Sequence, residues 1–166
     1  AIIPQDPLGF TGSLRFNLDP FDEKQDDELW AELDKVQMGD FFRNQDESLS
    51  YKLTAGGENL SVGQRQLVCA ARAFLRGCKI LVLDEATANV DFKTDGLIQE
   101  VLKNEVTTKK LTTFTIAHRI NTILGNDNVL VMDAGKCIEF GPTQKLANDP
   151  KSAFHSFVHP AGKDDS

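Results

Sequence analysis

Lys79-Ile80-Leu81-Val82-Leu83-Asp84-Glu85 decides the fold, because an apolar strand ends there in two adjacent carboxylates. The run Ile80 to Leu83 reads as a strand buried on both faces, the habit of parallel sheets covered by helices. In open α/β sheets ligands gather beyond the carboxyl ends of such strands. Asp84 in that place can hold Mg2+ and Glu85 can polarise a water. The same pair also suits a plain helix-capping loop, so the reading depends on what surrounds it.

Upstream, Leu60-Ser61-Val62-Gly63-Gln64 follows the turn signal Gly56-Gly57 and opens a helix. From Arg65 to Arg76, Leu67, Ala70, Ala71, Phe74 and Leu75 recur at helical spacing, and Gly77 is placed to stop it. Ser61 and Gln64 fit the S-x-x-Q capping box, which satisfies the orphan amides without any ligand. If those amides instead face solvent, Ser61 and the small Gly63 leave a helix start that a phosphate can approach.

Taken together and in order, the motifs reach a known family. Gln5, Leu60 to Gln64, Ile80 to Glu85, Ala88-Asn89-Val90-Asp91 and Thr115-Ile116-Ala117-His118-Arg119 resemble the nucleotide-binding domain of ABC transporters. They stand in the places of its Q-loop, signature, Walker B, D-loop and switch histidine, and the resemblance runs from about Ala1 to Pro150. Gly9-Phe10-Thr11-Gly12-Ser13-Leu14-Arg15-Phe16-Asn17-Leu18-Asp19-Pro20 and Glu85 to Asp91 look like the second such domain of the multidrug resistance-associated subfamily. The motif G-x-x-x-x-G-K-[ST] is not found in the 166 residues: Gly135-Lys136 is followed by Cys137 and Gly162-Lys163 by Asp164. In this family the P-loop precedes the Q-loop, so the expectation is a fragment, the carboxyl part of a domain, inactive by itself.

The resemblance implies roles. Gln5 would contact Mg2+ and the attacking water, Asp84 would bind Mg2+, Glu85 would act as base or water-positioning group, and His118 would bond the γ-phosphate of ATP. Ser61, Val62, Gly63 and Gln64 would touch a different ATP, held by a partner nucleotide-binding domain, with Asn89 and Asp91 between the two nucleotides. Val62 departs from the commoner glycine of the signature, which implies slow turnover of the ATP facing Ser61. The transmembrane domains of the same transporter would be further partners. The segment Phe10 to Phe21, with Phe16 between, is expected to meet them, and the chain to sit on the cytoplasmic face of a membrane.

Composition narrows the alternatives. The length suits one domain, burying roughly 70% of its unfolded surface. A net charge of -7 and a pI near 4.9 argue against nucleic acid as a partner, since phosphate binding needs a basic face. No stretch approaches the roughly 18 uninterrupted apolar residues of a membrane span, and no amino-terminal signal pattern occurs, so the chain itself reads as soluble. Cys69, Cys78 and Cys137 lack C-x-x-C spacing and read as reduced, buried thiols. His155 and His159 have no motif context.

The expected fold is α/β: a P-loop-NTPase-like ABC ATPase domain without its amino-terminal P-loop part. It has a parallel-strand core, a helical subdomain over about 22–78, and a carboxyl-terminal hairpin and helices. Ala1–Ile3 ends a strand, residues 4–21 form a loop, and 26–44 carry helical spacing behind an acidic start that reads as solvated surface. A helix follows Asp91, with strands over 111–117 and 128–132. Asp133-Ala134-Gly135-Lys136 turns a hairpin into 137–140, and helices follow Pro142 and Ala153. The partial domain covers 1–158 and residues 159–166 form a polar tail. Two rivals remain. Chromosome-maintenance ATPases share the signature, but the segment from Gln5 to Ser61 holds no sustained heptads for their coiled-coil arms. A truncated, non-enzymatic regulatory partner of a complete ABC domain is the other.

Overall fold

The computed structural model describes residues 1–7, 9–117 and 119–159, with the side chain of Lys93 excluded. It divides into two compact units, 1–116 and 117–166. His118 and residues 160–166 lie outside the described residues.

In the first unit β1 (Ile2–Ile3), β4 (Ile80–Asp84) and β5 (Thr112–Ile116) form a parallel sheet in the order β1-β4-β5. The parallel core expected from the sequence is therefore present. Between β1 and β4 run β2 (Gly12–Ser13), α1 (Leu14–Leu18), α2 (Asp26–Lys35), α3 (Gly39–Arg43), β3 (Lys52–Leu53) and α4 (Val62–Leu75). β2 pairs antiparallel with β3. Between β4 and β5 lies α5 (Phe92–Lys109), and α4 packs against α1, α2, α5 and β1.

α4 forms as its sequence dictates. Ser61 and Gln64 exchange hydrogen bonds as a full capping box, and Gly77, at φ 61°, ends the run. Nine of its fourteen residues are buried, among them Gln66, Leu67, Val68, Ala70, Ala71 and Phe74.

Strand β4 corrects an expectation. Its burial alternates: Leu81 and Leu83 are buried, whereas Ile80 is 53% exposed. Ile2, Val82 and Phe114 stand side by side across the sheet, and Ile2 and Phe114 are 67% and 60% exposed. One face of the sheet packs on helices and the other is an apolar surface. An unbroken apolar run reads identically in both situations.

Two further differences have local causes. The helical spacing over 26–44 is broken at Gln37, whose φ of 57° lets Met38 N–H bond the Leu33 carbonyl at 2.9 Å and close α2. The expected loop over residues 4–21 contains α1, started by Ser13 Oγ accepting from Phe16 N–H. Cysteines also differ: Cys69 is buried, Cys78 half-buried and Cys137 exposed on a hairpin strand.

The second unit holds α6 (Ile120–Leu124), an antiparallel hairpin of β6 (Asn128–Asp133) and β7 (Lys136–Pro142), α7 (Thr143–Ala147) and α8 (Ala153–Val158). Ala134 and Gly135, at φ 45° and 76°, make the two-residue turn, the geometry that matches strand twist. A small core of Val129, Val131, Ala147 and Phe154 holds it together.

Candidate functional site

Two helix starts and one sheet edge bring the candidate residues into view. Because β1, β4 and β5 are parallel, their carboxyl ends lie along one edge, with Ile3 opposite Leu83 and Asp84 opposite Ile116. Gln5, exposed, follows β1 by two residues, and Asp84 and Glu85 end β4. β1, which Gln5 follows, and β4, which ends in the two carboxylates, thus finish at the same edge, the one where ligands collect in such folds.

The turn after β4 is specific. Glu85 sits at φ 47°, a left-handed conformation that costs a non-glycine residue on the order of 1–3 kcal/mol. Its N–H bonds the Ile116 carbonyl at 2.9 Å and its own carbonyl accepts from Ala88 N–H at 2.9 Å. The sharp turn leaves Asp84 exposed and Glu85 half-buried. The loop behind them is anchored by buried Ala86, Thr87 and Val90, so Ala88 and Asn89 are exposed at its tip.

Asp91 caps α5, its Oδ1 accepting from Thr94 N–H at 3.1 Å. At α4, Gln64 N–H donates to Ser61 Oγ at 3.2 Å and Ser61 N–H to Gln64 Oε1 at 2.9 Å. Ser61 is exposed, Val62 and Gln64 are half-buried, and Gly63 is buried. A Cβ on Gly63 would run into the Thr94 Cγ2 methyl and meet Val90 Cγ1 at 3.6 Å. Glycine here lets the start of α4 nest against the first turn of α5, so Ser61–Gln64 and Asn89–Asp91 are neighbours. Thr94 carried no sequence signal, because its role is to fill the space that Gly63 leaves.

Among the described residues no group of three or more His, Cys, Asp or Glu side chains could hold a metal unaided. That donor set is compatible with Mg2+, which takes one or two carboxylates and completes its octahedron with water and substrate phosphates. An exposed Asp84 at a strand end fits such a ligand.

Two polar groups on the buried face of α4 escaped the sequence reading. Arg72 donates from Nε to the Asn17 carbonyl at 2.5 Å and from Nη2 to Asn17 Oδ1 at 3.0 Å, with its guanidinium 5.1 Å from the Phe10 ring. Burial pushes its pKa below the ordinary arginine value. Gln66 is 1% exposed. Gln66 lies in register with Gly63 and Ala70, three before and four after, which is the signal that could have flagged it.

An α/β domain whose parallel strand β4 ends in two carboxylates at a sheet edge, with a capped helix α4 packed against the sheet, has the architecture of an ABC ATPase. The chain belongs to the ABC transporter family, whose family model, described as "ABC transporter", matches residues 1–88. The relatives are of the multidrug resistance-associated kind. The chain is 51% identical over 165 residues to "Multidrug resistance protein mrp-7" of Caenorhabditis elegans, covering 99% of this chain and 11% of that protein. It is 48% identical over 164 residues to "Probable multidrug resistance-associated protein lethal(2)03659" of Drosophila melanogaster, covering 98% and 12%. The chain thus spans about one-eighth or less of the length of these curated relatives. Among solved structures, "Structure of a bacterial Atm1-family ABC exporter with ATP bound" superposes with a TM-score of 0.84 at 26% identity, covering all of this chain and 29% of that one. No helix of the described residues is long and apolar enough to cross a membrane.

Proposed function

We propose that this chain is the Walker B, signature and switch part of the second nucleotide-binding domain of a multidrug resistance-associated exporter, working on the cytoplasmic face of a membrane. The observation that carries the reading is that β1, followed by Gln5, and β4, ending in Asp84 and Glu85, finish at one edge of a parallel sheet. Asp84 holds Mg2+ and Glu85 orients the attacking water toward the γ-phosphate. Phosphoryl transfer asks for little beyond positioning and charge stabilisation, which two fixed carboxylates and a glutamine amide supply. His118, which follows β5 in sequence, bonds the γ-phosphate. The start of α4, exposed Ser61 with Val62, Gly63 and Gln64, meets ATP bound to a partner domain, with Asn89 and Asp91 in between. The transmembrane domains engage the segment that holds Phe10, Phe16 and Phe21, which are 49%, 46% and 71% exposed.

The P-loop that grips the β and γ phosphates is supplied by another segment of the complete protein. The uncovered sheet face of Ile2, Ile80 and Phe114 supports this, since an apolar surface of that kind calls for a covering layer. The chain alone therefore binds MgATP weakly and hydrolyses none, because amides and a lysine for the phosphates are missing from its site. Titration calorimetry of the 166-residue chain is expected to show no tight MgATP binding, and tight binding would overturn that part of the reading. In the domain completed with a P-loop half, Glu85→Gln is expected to retain ATP and lose turnover. Undiminished hydrolysis by that variant would remove Glu85 from its role.

A further inference from the structure

The loop that carries Gln5 is held from behind by α4. Gln66 Nε2 donates to the Pro4 carbonyl at 3.0 Å, across 62 positions of sequence. Gln66 is 1% exposed, and its Oε1 has no hydrogen-bond partner among the described residues. Burying an amide with one end unpaired costs free energy that an apolar side chain would not. Its neighbours Leu67, Val68, Ala70 and Ala71 on α4 are buried and apolar. What the glutamine adds is one directional bond, and that bond ends on the residue before Gln5.

Further along the same helix, Arg72 grips Asn17. Asn17 in turn accepts from Phe10 N–H at 2.8 Å and donates to the Phe10 and Ser13 carbonyls at 2.8 and 3.0 Å. Asn17 is fully buried. The segment from Pro4 to Asn17 is thus tied at both ends to a helix whose own start is Ser61–Gln64. We propose that Gln66 is a positioning residue that fixes the Gln5 loop against the signature helix, so that a shift of either one displaces the other. This rests on the reading of Gln5 as part of the ATP site. It adds that the water-positioning edge and the start of α4 are one mechanical unit within this chain.

Hydrogen exchange on the 166-residue chain tests the tie directly, comparing wild type with Gln66→Met, which keeps length and removes the donor. The expected result is exchange at least tenfold faster in the peptide spanning residues 5–12, with the middle of α5 unchanged. Unchanged exchange in 5–12, or a rise shared equally by α5, would overturn the proposal and leave Gln66 a core filler. Should Gln66→Met fail to fold, Gln66→Glu answers the same question. A protonated carboxyl donates to the Pro4 carbonyl and an ionised one does not, so protection of 5–12 should fall as pH rises through the titration. Protection independent of pH would overturn the tie.

ATPase assays of the completed domain then separate the two claims. Gln66→Met is expected to lower kcat with KM for ATP little changed, and to add nothing on a Gln5→Ala background. If Gln5→Ala alone leaves kcat unchanged, the ATP-site reading of Gln5 fails while the exchange result still decides the tie. A full additional loss on the Gln5→Ala background overturns the positioning role.

Discussion

Helix α4 and strand β4 adjoin in sequence and are both rich in apolar residues, yet they are supported very differently. α4 is enclosed by α1, α2, α5 and β1 and buries nine of its fourteen residues. β4 rests on helices with Leu81 and Leu83 only, and leaves Ile80 more than half exposed beside Ile2 and Phe114. The two groups proposed to face nucleotide are thus mounted on unequal foundations. Ser61–Gln64 start a helix with nine of fourteen residues buried, whereas Asp84 and Glu85 end a strand with one bare face. The difference teaches that the first unit buries its helical side and leaves an apolar face open on its sheet.

That contrast can be broken by truncations measured with urea unfolding of the chain. Phe74→Ala in α4 is expected to cost about 3–5 kcal/mol, since a buried aromatic leaves a large cavity. On β4, Leu81→Ala should cost about 2–5 kcal/mol, while its neighbour Ile80→Ala should stay within about 1 kcal/mol. Equal costs at Ile80 and Leu81 would mean that the outer face is covered after all.

The two helix starts sharpen the comparison at smaller scale. Ser61→Ala and Asp91→Ala each remove a cap acceptor and should each cost about 1 kcal/mol, with Ser61→Gly cheaper by several tenths. Gly63→Ala should be rescued in part by Thr94→Ser, which removes the methyl in its path. No rescue would assign the glycine to a purpose other than packing.

The smallest effect is a pH dependence. Arg43 donates from Nη1 and Nη2 to Asp34 at 2.6 and 2.7 Å, and holds that carboxyl below the ordinary aspartate range. A depressed folded pKa contributes stability that is present above the unfolded value and lost as pH falls through the folded one. Asp34→Asn should therefore remove a small stabilisation at neutral pH, at most about 0.5 kcal/mol because the pair is exposed, and nothing at strongly acid pH. Stability that rose on acidification in the wild type alone would contradict it.

Much of this was legible in residues. The capping box at Ser61 and Gln64, the stop at Gly77, the cap at Asp91, β5 and the hairpin at Ala134-Gly135 follow from local chemistry that needs no tertiary context. What escaped depends on neighbours distant in the chain. The burial of one face of β4 rather than two is decided by what packs on the sheet, and an apolar run does not encode it. The break at Gln37 puts a left-handed conformation on a residue that seldom signals one. At the candidate site, the sequence singled out Gln5, Asp84, Glu85 and Ser61–Gln64; in the structure Gln5 follows β1, Asp84 and Glu85 end β4, and Ser61–Gln64 start α4. Arg72 and Thr94 were invisible because their meaning lies in Asn17 and Gly63, their partners across the fold, and Gln66 showed only its register with Gly63 and not its bond to Pro4.

The central claim is that one chain serves two nucleotides, its own from the end of β4 and a partner's from the start of α4. The most direct measurement is ATP turnover of the full-length transporter carrying Glu85→Gln or Ser61→Ala, with nucleotide occupancy followed in parallel. The account predicts that Glu85→Gln lowers turnover by on the order of 10²-fold or more while ATP stays bound, and that Ser61→Ala, acting on the slower site, leaves most turnover intact. Equal and severe losses from both would contradict it.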